Sequence, residues 1–147
     1  MKNADKTTEA LSRLLADSYV LYLKTHNFHW NVTGPMFSTL HTLFETEYTE
    51  LALAVDEIAE RIRALGAVAP GTFAAYGKLA KVKDAEGVPK ATEMLRQLAD
   101  DQTEVVAAAK QVVQRAVESG DDATADLGIR RIQVHEKNAW MLESHLA

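Results

Sequence analysis

Cysteine is absent from this chain of 147 residues. Disulfide bonds, thiolate metal sites and cysteine nucleophiles are therefore excluded, and any metal ion must be held by imidazole and oxygen ligands. No run approaches the roughly 18 apolar residues of a membrane span, and the first residues lack the apolar stretch of a secretory signal. We expect a soluble, cytoplasmic protein with one domain over residues 1–147.

Positive charge is also scarce. The chain carries 16 Lys and Arg against 21 Asp and Glu, for a formal net charge of −5. The basic residues are scattered, and only Lys2 and Lys6 precede the first helical segment. This composition argues against a protein that binds DNA phosphates over its whole surface, and it favours attraction to cations.

Glycine and proline are few, and they separate four long segments with helical periodicity. A long connection joins the second and third segments, and within it Thr72 to Lys78 could hold a short helix. This pattern predicts an all-α, ferritin-like four-helix bundle whose long crossover allows an up-down-down-up order. The predicted segments run from about Asp5 or Thr7 to Trp30, from Phe37 to Leu65, from Pro89 to Ser119, and from an N-cap at Asp121 or Asp122 to the chain end.

The second segment contains a stripe of metal-ligating residue types. At about 100° per residue, His41, Glu45, Asp56 and Glu60 fall within about 100° of one another on the helix. The apolar residues of the segment are centred about 130° away, so the stripe does not face the core of its own bundle. The ordinary alternative is a solvated polar face, which we expect for Glu47, Glu50 and Glu57.

Distance along the helix decides how such a site could close. His41 and Asp56 are 15 residues apart, which is about 22 Å of helix, whereas metal–ligand bonds are about 2 Å long. One chain cannot bring both the His41–Glu45 pair and the Asp56–Glu60 pair to one ion, but two chains related by a two-fold axis can. The small residues Thr49 and Ala52 would let two such helices approach closely. We therefore predict a site with His41 and Glu45 from one subunit and the acidic pair from another.

His29 is the expected third ligand on the histidine side, because the first segment ends beside the start of the second. Imidazole and carboxylate ligands without thiolate suit Fe(II), Mn(II) or Zn(II), and iron is favoured where open positions must accept an oxidant. No Glu-x-x-His occurs in the chain, although ordinary ferritin bundles use that pair inside a single bundle. This absence favours a site shared between subunits.

The chain contains the motifs His29-Trp30-Asn31, Gly34, Phe37, His41, Asp56-x-x-x-Glu60-Arg61 and Leu65-Gly66. Together they resemble the signature of the Dps family, the DNA-protection-during-starvation miniferritins. The resemblance implies a ferroxidase that binds Fe(II), oxidises it preferentially with hydrogen peroxide and stores ferric mineral in a hollow dodecamer. It implies His29, His41 and Glu45 as ligands from one subunit, with Asp56 and Glu60 from its two-fold mate; Glu45 stands where many relatives have aspartate.

Residues around this set have weaker assignments. Trp30 is a packing residue, to which the resemblance adds interception of one-electron oxidants, and Trp140 belongs to the core or an interface. His26 could be an outer ligand, although we favour a surface or interface imidazole, and Arg61 could pair with an acidic ligand. His135 and His145 are structural.

The start of the fourth segment has two interpretations of equal weight. The resemblance implies acidic three-fold pores for iron entry, for which Asp121, Asp122 and Asp126 are candidates. Alternatively, Asp121 and Asp122 merely cap the helix.

Two rival functions remain open at this point. One is a nucleoid-binding structural stress protein with a vestigial metal site, which would need a basic surface or tail that is thin here. The other is an assembly held by a structural ion such as Zn(II), without turnover.

Overall fold

The computed structural model describes the backbone of residues 2–147 and the side chains of residues 5–147. This part of the chain contains no β-strand, which confirms the all-α prediction, and the short helix expected in the crossover is present. The third predicted segment begins later than expected, because Pro89 lies before the helix and Lys90 is its N-cap. The helices are α1 (Lys2–Asn31), α2 (Phe37–Ala64), α3 (Phe73–Leu79), α4 (Ala91–Glu118) and α5 (Asp122–Ser144).

Local chemistry explains where the long helices stop and restart. Gly66, just beyond α2, has φ +94°, and Gly120, just beyond α4, has φ +71°. Both lie in the left-handed region that glycine adopts without a steric cost, which ends a helix. Asp121 then accepts a hydrogen bond from the Thr124 backbone N–H at 3.1 Å, so Asp121 is the N-cap of α5.

The order of the bundle follows from the contacts between helices. α1 packs against α2 and α4, and α4 packs against α5. Arg61 near the end of α2 bonds Asp121 at the start of α5, and Glu50, earlier in α2, bonds Arg131, later in α5. The two helices are therefore antiparallel. With short turns inside the α1–α2 and α4–α5 pairs, this gives the up-down-down-up order.

The core is built from the apolar faces of the four long helices. On α2 the buried apolar side chains recur at three- and four-residue steps, as the periodicity predicted. They include Leu40, Phe44, Leu51, Ile58 and Ile62, all with no exposed surface. No helix in residues 2–147 is long and apolar enough to cross a membrane.

Glu47 was expected on the solvated face, and that prediction was wrong. Its side chain lies in the same buried row of α2 as Phe44 and Leu51, with 3% of its surface exposed. Neither carboxyl oxygen has a hydrogen-bond partner in the described chain. Burial raises the pKa of Glu47 from 4.5 to about 8, so the folded protein holds this carboxyl neutral at pH 7.

The crossover is anchored to α1 by a buried carboxylate. The Asp17 carboxylate accepts hydrogen bonds from the backbone N–H groups of Lys81 at 2.7 Å and Val82 at 3.0 Å. These two donors follow α3 directly, so the anchor fixes the short helix against α1. Burial raises the pKa of Asp17 despite these bonds, which indicates a carboxylate drawn well into the protein.

Candidate metal site at the junction of α1 and α2

His29 and His41 meet where α1 ends and α2 begins. The His29 Nδ1 lies 2.6 Å from the His41 carbonyl oxygen, and the His41 Nδ1 lies 2.7 Å from the His29 carbonyl oxygen. The two imidazole rings are stacked, with centroids 3.8 Å apart and planes 13° from parallel. His29 is buried and His41 is half-buried. The sequence predicted this pairing, although spacing alone did not give its geometry.

This reciprocal bonding fixes the chemistry of both rings. A carbonyl oxygen can only accept, so each Nδ1 must carry the proton and donate it. In a neutral ring the lone pair then resides on Nε2. Metal-binding histidines commonly use this arrangement, in which one nitrogen donates to a backbone carbonyl and the other binds the ion. In both rings Nε2 is therefore the nitrogen that remains available to a metal ion.

Glu45 lies on the same side as the histidines. Its Oε1 is 3.9 Å from the His29 Nε2, and most of its side chain is exposed. The carboxylate can therefore swing toward an ion bound at the imidazole nitrogens. Without that movement, Glu45 and the two histidines do not converge closely enough to hold an ion.

Asp56 and Glu60 form a second, separate group farther along α2. Both side chains are exposed, and a hydrogen bond with Asp56, together with its negative charge, raises the pKa of Glu60. The two carboxyls thus lie side by side, as the four-residue spacing predicted. Among the described residues of one subunit, no three His, Asp or Glu side chains converge closely enough to hold a metal ion.

Aromatic rings surround the histidine pair. His26 lies between two rings: its ring is tilted by 35° against Trp30, at 3.9 Å between centroids, and stacks on Tyr48 at 4.2 Å. Trp30 is 58% exposed, so it packs against His26 with one face while much of its ring remains outside. Phe37 stacks on His41 at 5.1 Å. His26 is half-buried, as His41 is, so its role beside the site stays a prediction.

Arg61 has a different partner from the metal ligand suggested by the sequence. Its Nε donates to Thr124 Oγ1 at 2.8 Å, and its NH2 group bonds Asp121 Oδ1 at 3.1 Å. Burial opposes ionisation of Asp121, but the Thr124 donors and the Arg61 guanidinium outweigh it and lower the pKa of this carboxyl. Arg61 thus joins α2 to the N-terminus of α5.

The three candidates for an iron-entry pore have different surroundings. The capping interpretation holds for Asp121, whose carboxylate is held by Thr124 and Arg61. Asp122 is exposed, and the exposed Asp126 pairs with Arg130 at 3.2 Å. The pore itself needs neighbouring subunits and stays a prediction.

A buried polar network between α2, α4 and α5 was missed by sequence reasoning. His135 lies between Gln102 Oε1, 2.6 Å from its Nδ1, and Arg131 NH2, 2.9 Å from its Nε2. Burial, followed by the charge of Arg131, lowers the pKa of His135 well below 6.5. Arg131 also binds Glu50 through both of its terminal nitrogens. The spacing of Arg131 and His135, four residues apart on one helix, was the available signal.

Trp140 lies at the surface, and Lys24 forms a buried ion pair. Trp140 is 64% exposed, so the core interpretation is wrong and the interface interpretation stays a prediction. Lys24 is buried and pairs with Asp101 at 2.9 Å, which joins α1 to α4. The side chain of Lys2, one of the two N-terminal lysines, lies outside the described residues, and Lys6 is exposed.

Comparisons with known proteins agree with this architecture. The ferritin-like domain family matches residues 8–147. The chain is 42% identical over 137 residues to the DNA protection during starvation protein of Brevibacillus brevis, covering 92% of this chain and 91% of that protein. It is 39% identical over 138 residues to DNA protection during starvation protein 2 of Bacillus anthracis, covering 94% of each.

Solved structures give the same result. A Dps protein from Bacillus brevis superposes with a TM-score of 0.96 at 39% identity, covering 100% of this chain and 99% of that one. The Vibrio cholerae Dps protein, described as a member of a broad superfamily of ferritin-like diiron-carboxylate proteins, superposes with a TM-score of 0.95 at 34% identity. That match covers 99% of this chain and 92% of the other. The chain therefore belongs to the Dps family of ferritin-like proteins.

Proposed function

We propose that this protein is a ferroxidase and iron store, which oxidises Fe(II) at sites shared by two subunits and keeps the ferric product in a shell of identical chains. The single observation that carries the proposal is the reciprocal bonding of His29 and His41, which leaves both Nε2 lone pairs free for an ion. The names of the relatives add protection of DNA during starvation. Removal of iron and peroxide would provide that protection.

Each proposed site takes its two groups of ligands from different chains. His29, His41 and Glu45 would come from one subunit, and Asp56 and Glu60 from a second subunit related by a two-fold axis. The exposed surface between the groups suits such an interface, because Thr49 and Ala52 are small and Leu53 is apolar with 73% of its surface exposed. The two adjacent carboxyls of Asp56 and Glu60 repel when ionised, and a cation between them would relieve that repulsion.

The imidazoles and the carboxylates have different roles in the proposed reaction. The neutral imidazoles hold Fe(II) without adding charge, and the carboxylates offset the higher charge of Fe(III), which favours oxidation. Two ferrous ions give one electron each to hydrogen peroxide, which takes up two protons and leaves as two water molecules. Burial of the site between subunits would limit the escape of reactive products. Mn(II) or Zn(II) could occupy the same ligands, and redox-inert Zn(II) would block turnover.

The proposed assembly is a homo-oligomer, and the family resemblance implies twelve subunits. Twelve chains of 16.2 kDa would form a particle of about 194 kDa, which light scattering after size-exclusion chromatography can measure. Ferrous iron would enter through pores lined by Asp122 or Asp126. With a formal charge of −5 per chain, we expect DNA binding to be weak and to disappear at moderate salt.

The decisive experiment mixes two inactive variants. His41→Ala removes a ligand from the imidazole group, and Asp56→Ala removes one from the acidic group. Each variant alone should lose peroxide-driven ferric formation, while the particle size stays that of the wild type. Co-expressed subunits should regain activity, because one site of each mixed pair has both of its ligand groups intact. Random pairing predicts recovery of about a quarter of the wild-type sites.

The outcomes separate the proposals. Glu57→Ala, a substitution of the next exposed carboxylate on α2, is the matched control and should retain full activity. No recovery in the mixed particles would exclude sites shared in this way. Full activity in both single variants would show that His41 and Asp56 are not ferroxidase ligands. Loss of the particle in either variant would favour a structural metal ion.

A further inference from the structure

All four tyrosines of the chain lie in one line that begins at the proposed metal site. The ring centroid of Tyr48 is 5.1 Å from that of His29. Tyr22 follows at 6.0 Å from Tyr48, and Tyr19 at 5.8 Å from Tyr22. Tyr76, on α3, stacks on Tyr19 at 5.0 Å and ends the line. The line therefore crosses from α2 along α1 to the crossover helix.

Packing alone does not account for tyrosine at these positions. Aromatic pairs at such distances stabilise a fold by about 0.5–1.5 kcal/mol each, but phenylalanine would supply the same rings. Among these four hydroxyl groups, only that of Tyr76 donates a hydrogen bond within the described chain, to the Pro70 carbonyl oxygen at 2.7 Å. Besides a hydroxyl that can bond water, all four share a property that phenylalanine lacks, a phenol that gives up one electron readily.

We propose that this tyrosine line carries oxidising equivalents away from the metal site, from Tyr48 through Tyr22 to Tyr19 and Tyr76. The inference rests on the proposed function, which supplies the oxidant. When a single ferrous ion meets peroxide, it gives up one electron, and peroxide splits into hydroxide and a hydroxyl radical. This radical would otherwise attack the imidazoles that hold the iron.

Each step conserves electrons and protons. The hydroxyl radical takes one electron from Tyr48 and becomes hydroxide, and the oxidised phenol releases its proton to water to leave a neutral tyrosyl radical. Tyr22 then gives one electron to Tyr48, which regains a proton from water, while Tyr22 loses its own proton. The same exchange repeats toward Tyr19 and Tyr76. Because every carrier is a phenol, no step requires a strongly uphill transfer.

The geometry suits this transfer in two ways. Neighbouring rings are close to van der Waals contact, so electrons need not cross an insulating gap of aliphatic side chains. The line also ends at the stacked pair of Tyr19 and Tyr76, which borders a groove of about 510 Å³ between α1 and the α3 region. The radical is then separated from the ligands by two intervening tyrosines.

The test replaces Tyr22, in the middle of the line, and compares the oxidation of the tyrosines on either side of it. Protein loaded anaerobically with one ferrous ion per site receives a peroxide pulse and is frozen within milliseconds for electron paramagnetic resonance. Peptide mass spectrometry then locates oxygen addition to each tyrosine. In the wild type we expect a tyrosyl radical and oxygen addition at Tyr19 and Tyr76. In Tyr22→Phe we expect that addition to fall several-fold while Tyr48 becomes the main site.

Two further variants control for a merely structural effect. Tyr22→Trp supplies another oxidisable ring and should restore oxidation at Tyr19 and Tyr76. Tyr76→Phe removes only the end of the line and should leave oxidation at Tyr48, Tyr22 and Tyr19 in place. The rate of ferric formation, followed by absorbance, should equal that of the wild type in all three variants.

The two proposals fail in different ways. If the wild type forms no ferric iron, the proposed function itself is wrong. Normal ferric formation, together with unchanged oxidation of Tyr19 and Tyr76 in Tyr22→Phe, would overturn the tyrosine line alone. Normal ferric formation without oxidation of any tyrosine in the wild type would overturn it as well.

Discussion

Replacing Glu47 by leucine should make this protein more stable. Glu47 is 3% exposed within the apolar row of α2, and both of its carboxyl oxygens are buried without a partner. A buried polar group left without a hydrogen bond costs roughly 1–3 kcal/mol, and leucine of similar volume removes that cost. We expect Glu47→Leu to raise the free energy of unfolding by about 2 kcal/mol near pH 4, or the midpoint temperature by about 5 °C, and by more at pH 7, where the unfolded chain ionises Glu47.

The assay is urea unfolding followed by far-ultraviolet circular dichroism, with all variants at one protein concentration because assembly contributes to stability. Glu47→Gln is the matched control, since it keeps a buried polar group in place of a carboxyl that is neutral at pH 7. It should lie within about 0.5 kcal/mol of the wild type near pH 4, where Glu47 is neutral in the folded and the unfolded chain and the desolvation cost remains, and should be more stable than the wild type at pH 7, where the unfolded chain ionises Glu47. Lower stability of Glu47→Leu would refute this reasoning and indicate that the carboxyl has a partner in the assembled protein.

Three further substitutions test the packing and the buried charges. Gly128→Ala should destabilise by about 1–3 kcal/mol in thermal unfolding, because the new Cβ would lie 2.8 Å from Val113 Cγ2; an unchanged midpoint would contradict this. The folded-state pKa of His135 is depressed below 6.5, so the unfolded chain binds the extra proton and stability should fall below pH 6.5, by up to about 1.4 kcal/mol per pH unit. His135→Gln should flatten that dependence in urea titrations, and an equal slope would argue against this group. Lys24→Met leaves the buried Asp101 unpaired and should cost about 3 kcal/mol, whereas the double variant with Asp101→Leu should recover most of it.

The fold could be predicted largely from the sequence, because its signals are local and repeated. Apolar spacing on the second segment gave the buried face of α2, and Gly66 and Gly120 marked helix ends that the structure confirms. Pro89 was less reliable, since a residue suited to the first helical turn can equally precede it.

The site was only partly predictable for a physical reason. The pairing of His29 with His41 followed from their positions at the ends of two consecutive helices. Its tautomers depend on backbone carbonyls, whose positions no residue pattern records. Glu47 shows the opposite failure: its angle on the helix placed it among the apolar residues, but its charge led to the wrong assignment to solvent. Arg131 and Glu50 are 81 residues apart, so their pairing can be identified only from the three-dimensional fold.

The reciprocal hydrogen bonds between His29 and His41 close a small loop of chain between two consecutive helices. A subunit can form this half of the proposed site by itself, as soon as its first hairpin of helices has folded. In the proposed site the acidic half comes from another chain, so the complete centre would exist only where two copies have met. Newly made subunits would then hold a metal ion weakly and leave it unoxidised, and catalysis would begin only once subunits have paired. Protein concentration would thereby control when ferric iron is made.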